Sequence, residues 1–253
     1  MGRKQLILLY AISVAAVFAC FFAEPIPQDQ NYHHFADAKS FFSIPNFWNV
    51  ISNLPFVVVG TIGLAKLKHA NGYPLKPNYV WFFIGILLTG LGSGYYHLQP
   101  GNNTLVWDRL PMTVTFMSFL SIIIGEFISV KSGKKLLYPL LAVGLLSIVN
   151  WIVTDDLRMY ALVQFLPIIL ILAVLFLSKK QPYHKKYFWL MVVCYTIAKF
   201  LESYDFLVYD ALVKTVSGHT LKHIAAAAAP FLFCKFADAK FNTKPNAAEP
   251  KHA

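Results

Sequence analysis

The sequence predicts an all-α polytopic membrane protein, with a seven-transmembrane-helix core and one extra N-terminal transmembrane helix. Only 13% of the 253 residues are charged, whereas a soluble domain has about 25%. Hydrophobic residues make up 57% of the chain, and they fall into eight long apolar runs. A bilayer core about 30 Å thick needs roughly 20 apolar residues per helix. The eight runs span residues 5–23, 46–67, 79–98, 108–130, 136–153, 160–178, 187–209 and 216–234.

The first run is the extra helix. It follows Arg3 and Lys4, as a signal peptide would, but its apolar stretch is long for one, so we expect it to be retained. With the outer loop after it, it forms an N-terminal unit over residues 1–45. The core then covers 46–236, and the polar segment 237–253 is expected to be a disordered cytoplasmic tail.

The basic residues set the orientation of the core. With the N-terminus in the cytoplasm, the inner segments carry 16 Lys and Arg residues and the outer segments carry 4. This positive-inside bias predicts that both termini are cytoplasmic. Because the basic residues lie in short loops between apolar runs, we expect no nucleic-acid partner. The three cysteines, Cys20, Cys194 and Cys234, lie inside apolar runs and are interpreted as free thiols.

Two pairs of polar residues lie four positions apart inside the predicted helices. Ser93 and His97 close the third run, and His219 and His223 open the last run. A helix places residues at this spacing on one face. Both pairs are predicted near the outer leaflet, since the third run ends outside and the last run begins there.

An aspartate is predicted at the same depth. Asp108 opens the fourth run, and Pro100 and Gly101 in the preceding loop allow a tight turn that returns Asp108 beside His97. Taken singly, each of these residues has a structural explanation: His97 fits an interfacial helix end, Asp108 fits an N-cap, and the other two histidines fit a wet cavity. Their convergence at one depth favours a metal site.

The chemistry of such a cluster suits Zn²⁺. Three imidazoles leave a fourth position open, which is the arrangement of catalytic zinc sites. Zinc lowers the pKa of a bound water to about 7. A neighbouring carboxylate can accept and return a proton, and a serine hydroxyl can donate a hydrogen bond to a developing oxyanion.

A second polar stripe lies in "NFWNVISNLPF", where Asn46, Asn49 and Asn53 share one face with Ser52 beside them. Asn49, Ser52 and Asn53 can orient the zinc-bound histidines from a second layer. Hydrogen bonding between membrane helices explains the stripe equally well.

Charged residues also occur within the seventh run. Lys199 and Glu202 lie three apart, with Asp205 three further on. We interpret the first two as a neutralised intramembrane ion pair. The alternative is a proton or ion pathway, and hence a transporter, although no internal repeat supports that function.

Four blocks of the sequence resemble the alkaline ceramidases, which belong to a superfamily of seven-helix membrane hydrolases that includes the progestin and adipoQ receptors. The blocks are "NFWNVISN", "GSGYYH", "WDRLPM" and "SGHTLKH", and they occur in the family's order between residues 46 and about 234. The Ser-x3-His, His-x10-Asp and His-x3-His spacings all match. The resemblance implies zinc ligands at His97, His219 and His223, a catalytic aspartate at Asp108 and a catalytic serine at Ser93.

The sequence departs from this family near its N-terminus. Eukaryotic alkaline ceramidases bind calcium through an acidic Asp-Trp-x-Glu segment and a Glu just before "FWN". Here that segment is missing and Asn46 stands before Phe47 and Trp48, which argues against calcium regulation.

The leading hypothesis is therefore a zinc-dependent amidase that cleaves ceramide or a related N-acyl lipid to a fatty acid and a sphingoid-type base. The alternative is a receptor-like or lipid-sensing protein with structural zinc and no turnover. The expected location is the inner membrane of a bacterium, or the endoplasmic reticulum or Golgi of a eukaryote. The sequence does not determine the oligomeric state.

Overall fold

A computed structural model of the chain describes residues 1–179 and 185–242. Across these ranges the regular structure is helical, with a single isolated bridge between Phe41 and Ile44 and no β-strand. The described residues contain ten α-helices: α1 Arg3–Phe22, α2 Phe47–Ile51, α3 Leu54–Lys66, α4 Lys76–Leu98, α5 Asn102–Ile123, α6 Val130–Thr154, α7 Arg158–Leu177, α8 Lys185–Ser203, α9 Asp205–Ala211 and α10 Gly218–Asn242.

The all-α polytopic class is confirmed. Among the described residues, six segments are long and apolar enough to cross a membrane: α1, α2–α3 through His69, α4, α5 with its π-helical extension Ile124–Ile128, α6 and α7. Helices α8 and α10 have 19 and 25 residues but are more polar than these six. The count of seven core helices plus one therefore stays a prediction.

Two predicted boundaries differ from the structure. Helix α5 begins at Asn102, so Asp108 lies in its second turn and is not an N-cap. The turn is short because the Thr104 hydroxyl donates to the Gln99 and Gly101 carbonyls at 2.7 and 3.0 Å, which starts the helix directly after Gly101. The seventh run is also broken, at Tyr204 between α8 and α9.

Helix α10 packs against α8, α3 and α9. Its Phe233 is fully buried among aromatic rings of α4, α5 and α8. The helix continues to Asn242, into the segment expected to be a disordered tail; residues 243–253 lie outside the described residues. We call the end of the bundle that carries the start of α10 and the end of α4 the histidine end.

Far from the histidine end, a buried carboxylate fixes the last turns of α10. The Glu126 side chain accepts hydrogen bonds from the Tyr73 and Tyr79 hydroxyls, both at 2.6 Å. It also pairs with Lys240 of α10 at 2.5 Å. These contacts join α10 to the π-helical turn after α5, and they hold the helix that carries two of the three predicted metal ligands.

Candidate metal centre and lipid cavity

The three predicted ligand histidines come together at the histidine end. His97 lies in the last turn of α4, and His219 and His223 lie in the first two turns of α10. Their ring centroids are 4.9 to 5.0 Å apart, and one nitrogen from each ring lies within 4.8 Å of the others. All three side chains are buried, with exposed fractions of 1%, 6% and 4%. This cluster can hold one metal ion.

The position of Asp108 depends on a very close contact between α4 and α5. A Cβ added at Gly92 would lie 1.9 Å from the Trp107 carbonyl oxygen, so only glycine permits this approach. The contact brings α4, which carries Ser93, against α5, which carries Asp108, and both residues line the same cavity. Both side chains are buried.

Asn49, Ser52 and Asn53 were predicted to orient the histidines, and Ser52 contacts one of them directly. The Ser52 hydroxyl lies 2.8 Å from His223 Nδ1, which leaves Nε2 as the nitrogen available to a metal. Asn49 accepts a hydrogen bond from the Thr220 hydroxyl at 2.9 Å and donates to the Asp37 carbonyl at 3.0 Å. Asn53 donates to the Asn49 carbonyl at 2.7 Å, and the structure gives it no hydrogen bond to a histidine.

Two residues outside the predicted set, Asp205 and Phe35, also contact the histidines. Asp205 accepts a hydrogen bond from the His219 backbone N–H at 2.7 Å and another from Ala36 at 2.9 Å. Phe35 packs against both His97 and His219, with ring centroids 4.7 and 4.5 Å apart. The short segment before α2 therefore covers the cluster, a contact that helical periodicity does not signal.

A largely apolar cavity of about 540 Å³ extends from the cluster into the bundle. His223, Ser93 and Asp108 line it at the histidine end. Its walls come from α4, α5, α7, α8 and α10 and include Phe82, Ile86, Phe119, Ile171, Ala226 and Ala229. A cavity with apolar walls and a few convergent polar groups is the usual form of a small-molecule site.

The ion pair predicted in the seventh run is confirmed, and it includes a third residue. Glu202 pairs with Lys199, as predicted, and also with Lys222 of α10 at 2.6 Å. Asp205 is not part of this group, because both of its carboxylate oxygens accept backbone N–H groups. A carboxylate held between two lysines does not suit a pathway in which it must exchange protons freely. Lys199, Glu202 and Lys222 all line the cavity.

The family model described as Ceramidase matches residues 38–237, which include every predicted site residue. No curated protein matches the sequence.

Proposed function

The chain belongs to the ceramidase family, and on that basis we propose that it is a zinc-dependent intramembrane amidase. Its substrate would be ceramide or a related N-acyl lipid, and its products a fatty acid and a sphingoid-type base. One observation carries this proposal: His223, Ser93 and Asp108 line a single lipid-sized cavity beside the histidine cluster.

The donor set fits zinc. Neutral imidazole nitrogens suit Zn²⁺, and three of them leave a position that is open to a substrate or water. When bound, zinc would supply Lewis-acid polarisation of the amide carbonyl and a more acidic water. His97, His219 and His223 would hold it, with Ser52 fixing the ring of His223.

Asp108 and Ser93 would carry out the proton transfer and charge stabilisation. As a water oxygen bonds to the amide carbon, the Asp108 carboxylate takes one proton from that water. The Ser93 hydroxyl donates a hydrogen bond to the carbonyl oxygen as negative charge develops on it. Asp108 then gives its proton to the amide nitrogen as the C–N bond breaks, which releases the free amine and leaves the carboxyl group of the fatty acid.

The proposal is tested by hydrolysis in liposomes. Purified protein loaded with zinc should release fatty acid from ceramide, measured by mass spectrometry, and a chelator should stop the reaction. Asp108→Asn keeps the side-chain volume but cannot accept the proton, so activity should fall by about 10²- to 10⁴-fold. Its zinc content should equal that of the wild type.

The ligand assignment is tested separately with His219→Ala, whose zinc content should fall. Undiminished zinc in that variant would remove His219 from the ligand set. A protein that holds zinc but releases no fatty acid from any N-acyl lipid would instead be the receptor-like alternative.

A further inference from the structure

The cavity contains more positive than negative side chains at the histidine end. Three basic residues line it, Arg109, Lys199 and Lys222, against two acidic residues, Asp108 and Glu202. All five lie within about two turns of a helix end: the start of α5, the end of α8 or the start of α10. The remaining lining is mostly apolar, so the excess charge is concentrated beside the reaction centre.

Glu202 cannot neutralise both of its lysine partners. It accepts from Lys199 and Lys222, and Lys222 is mostly buried, with its side chain 16% exposed. Two cations sharing one carboxylate leave a net positive charge on this group, in which the Glu202 side chain is 19% exposed and the Lys199 side chain 39% exposed. Such a charge is costly unless a further anion pairs with it.

The five side chains together carry one net positive charge, and Arg109 is the third and most buried cation among them. Its guanidinium carbon lies 5.2, 4.5 and 4.8 Å from the ring centroids of Tyr32, Trp151 and Tyr160. The side chain is only 6% exposed, and among the residues that the structure describes its Nη1 has no hydrogen-bond partner. The aromatic rings hold the guanidinium in place by cation–π contacts, and these contacts leave Nη1 available to an anion.

We propose that this end of the cavity binds an anionic headgroup, a carboxylate or a phosphate, next to the scissile amide. The preferred substrate would then be an N-acyl lipid with an acidic headgroup rather than uncharged ceramide. The hydrolysis of such a lipid rests on the proposed function, whereas binding of the headgroup does not. Charge-assisted hydrogen bonds from lysine or arginine to an anion are stronger than those to a hydroxyl group.

The test uses ligands that contain no amide or carboxylic ester and therefore offer an amidase no acyl bond to hydrolyse. Hexadecyloxyacetate, hexadecyloxyethyl phosphate and hexadecyloxyethanol share one alkyl chain and differ in the headgroup. Their affinities are measured by native mass spectrometry, with the full chain in phosphatidylcholine nanodiscs. We expect at least one anionic ligand to bind roughly tenfold more tightly than the alcohol. Comparison of the two anions identifies whether the carboxylate or the phosphate is preferred.

Single substitutions test which side chains cause the preference for an anionic ligand. Lys222→Gln and Arg109→Gln should each reduce the ratio of anion to alcohol affinity several-fold, and Lys222→Gln carries the test if Arg109→Gln does not fold. The matched control is Lys66→Gln, which removes the same charge from an ion pair with Asp238 away from the cavity. This control should keep the wild-type ratio.

Equal affinity for anions and alcohol would overturn the inference. So would a preference that Lys222→Gln leaves intact, or one that Lys66→Gln lowers to the same extent. Cleavage of ceramide by a protein without anion preference would overturn the inference and support the amidase. An anion preference in a protein that cleaves no N-acyl lipid would support the inference and overturn the amidase.

Discussion

At the scale of single residues, the contact between Ser52 and His223 has a measurable consequence. The Ser52 hydroxyl fixes the His223 ring through Nδ1 at 2.8 Å. Loss of such a partner typically lowers metal affinity by about 10- to 100-fold. We therefore expect Ser52→Ala to weaken zinc binding by a factor in this range, measured by competition with a chromogenic chelator.

A serine on α8 provides the control for this prediction. Ser203 donates its hydroxyl to the Lys199 carbonyl and is exposed. Ser203→Ala should bind zinc with wild-type affinity. If both variants bound zinc equally well, the Ser52 hydroxyl would have no role in the metal centre.

Some residues of the site could be predicted from the sequence, and others could not. His97, His219 and His223 were predictable because helical spacing and apolar surroundings make a polar pair conspicuous. Asp205 and Phe35 contact the same histidines from other segments. Their contacts depend on the break between α8 and α9 and on the path of the chain before α2, which no local pattern encodes.

At the scale of the helices, the approach of α4 to α5 is the contact on which catalysis should depend. Alanine at position 92 would place a methyl group against the Trp107 carbonyl and force the helices apart. Overpacking of this kind typically costs about 1–3 kcal/mol. Gly92→Ala should therefore lower the thermal unfolding temperature in detergent, and it should reduce hydrolysis because Ser93 moves away from Asp108.

Gly94, two residues along the same helix, gives the matched control. A Cβ at this position meets only the Val50 carbonyl oxygen, at an ordinary 3.9 Å. Alanine is the better helix former by about 1 kcal/mol. Gly94→Ala should thus be as stable as the wild type or more so, and similar losses in both variants would contradict the close-contact argument.

Each of the eight apolar runs overlaps at least one helix, but hydropathy did not predict where the helices end. Polar residues such as Asn102 and Thr104 resemble a loop in sequence, yet they form the first turn of α5. Tyr204 interrupts an apolar run because Asp205 turns to bind the backbone of α10 and the segment before α2. In both places hydrogen bonds made on folding override the pattern of apolar residues.

At the scale of the whole molecule, the connection between α6 and α7 is hydrogen-bonded to the segment that follows α1. Asp156 accepts from the Ile26 N–H at 3.2 Å, and the Leu157 N–H donates to the Ile26 carbonyl at 2.8 Å. The hydrogen bond from Arg158 lowers the pKa of Asp156 from its ordinary 3.8 to about 2. The contribution of Asp156 to this attachment should therefore be lost at acid pH, where the carboxylate is protonated.

Because the folded pKa is depressed, Asp156 contributes stability above its ordinary pKa and loses it as the pH falls towards 2. Wild type should be more stable than Asp156→Asn at pH 7, and the difference should disappear as the pH falls from about 4 to 2. Thermal unfolding of both proteins across this pH range measures the difference in stability. A difference that persists at the lowest pH would show that the carboxylate charge is not responsible.

The small side chains of α10 have a consequence for substrate size. Ala226 and Ala229 line the cavity three and six residues beyond His223. A larger side chain at either position would reduce the space for the acyl chain. Ala229→Phe should shift hydrolysis towards shorter acyl chains, with each excluded methylene costing about 0.8 kcal/mol. Competition among N-acyl lipids of graded length measures the shift, and Ile224→Phe, at an exposed position of the same helix, should leave it unchanged. The alanines of α10 would thus set the longest fatty acid that the protein can release.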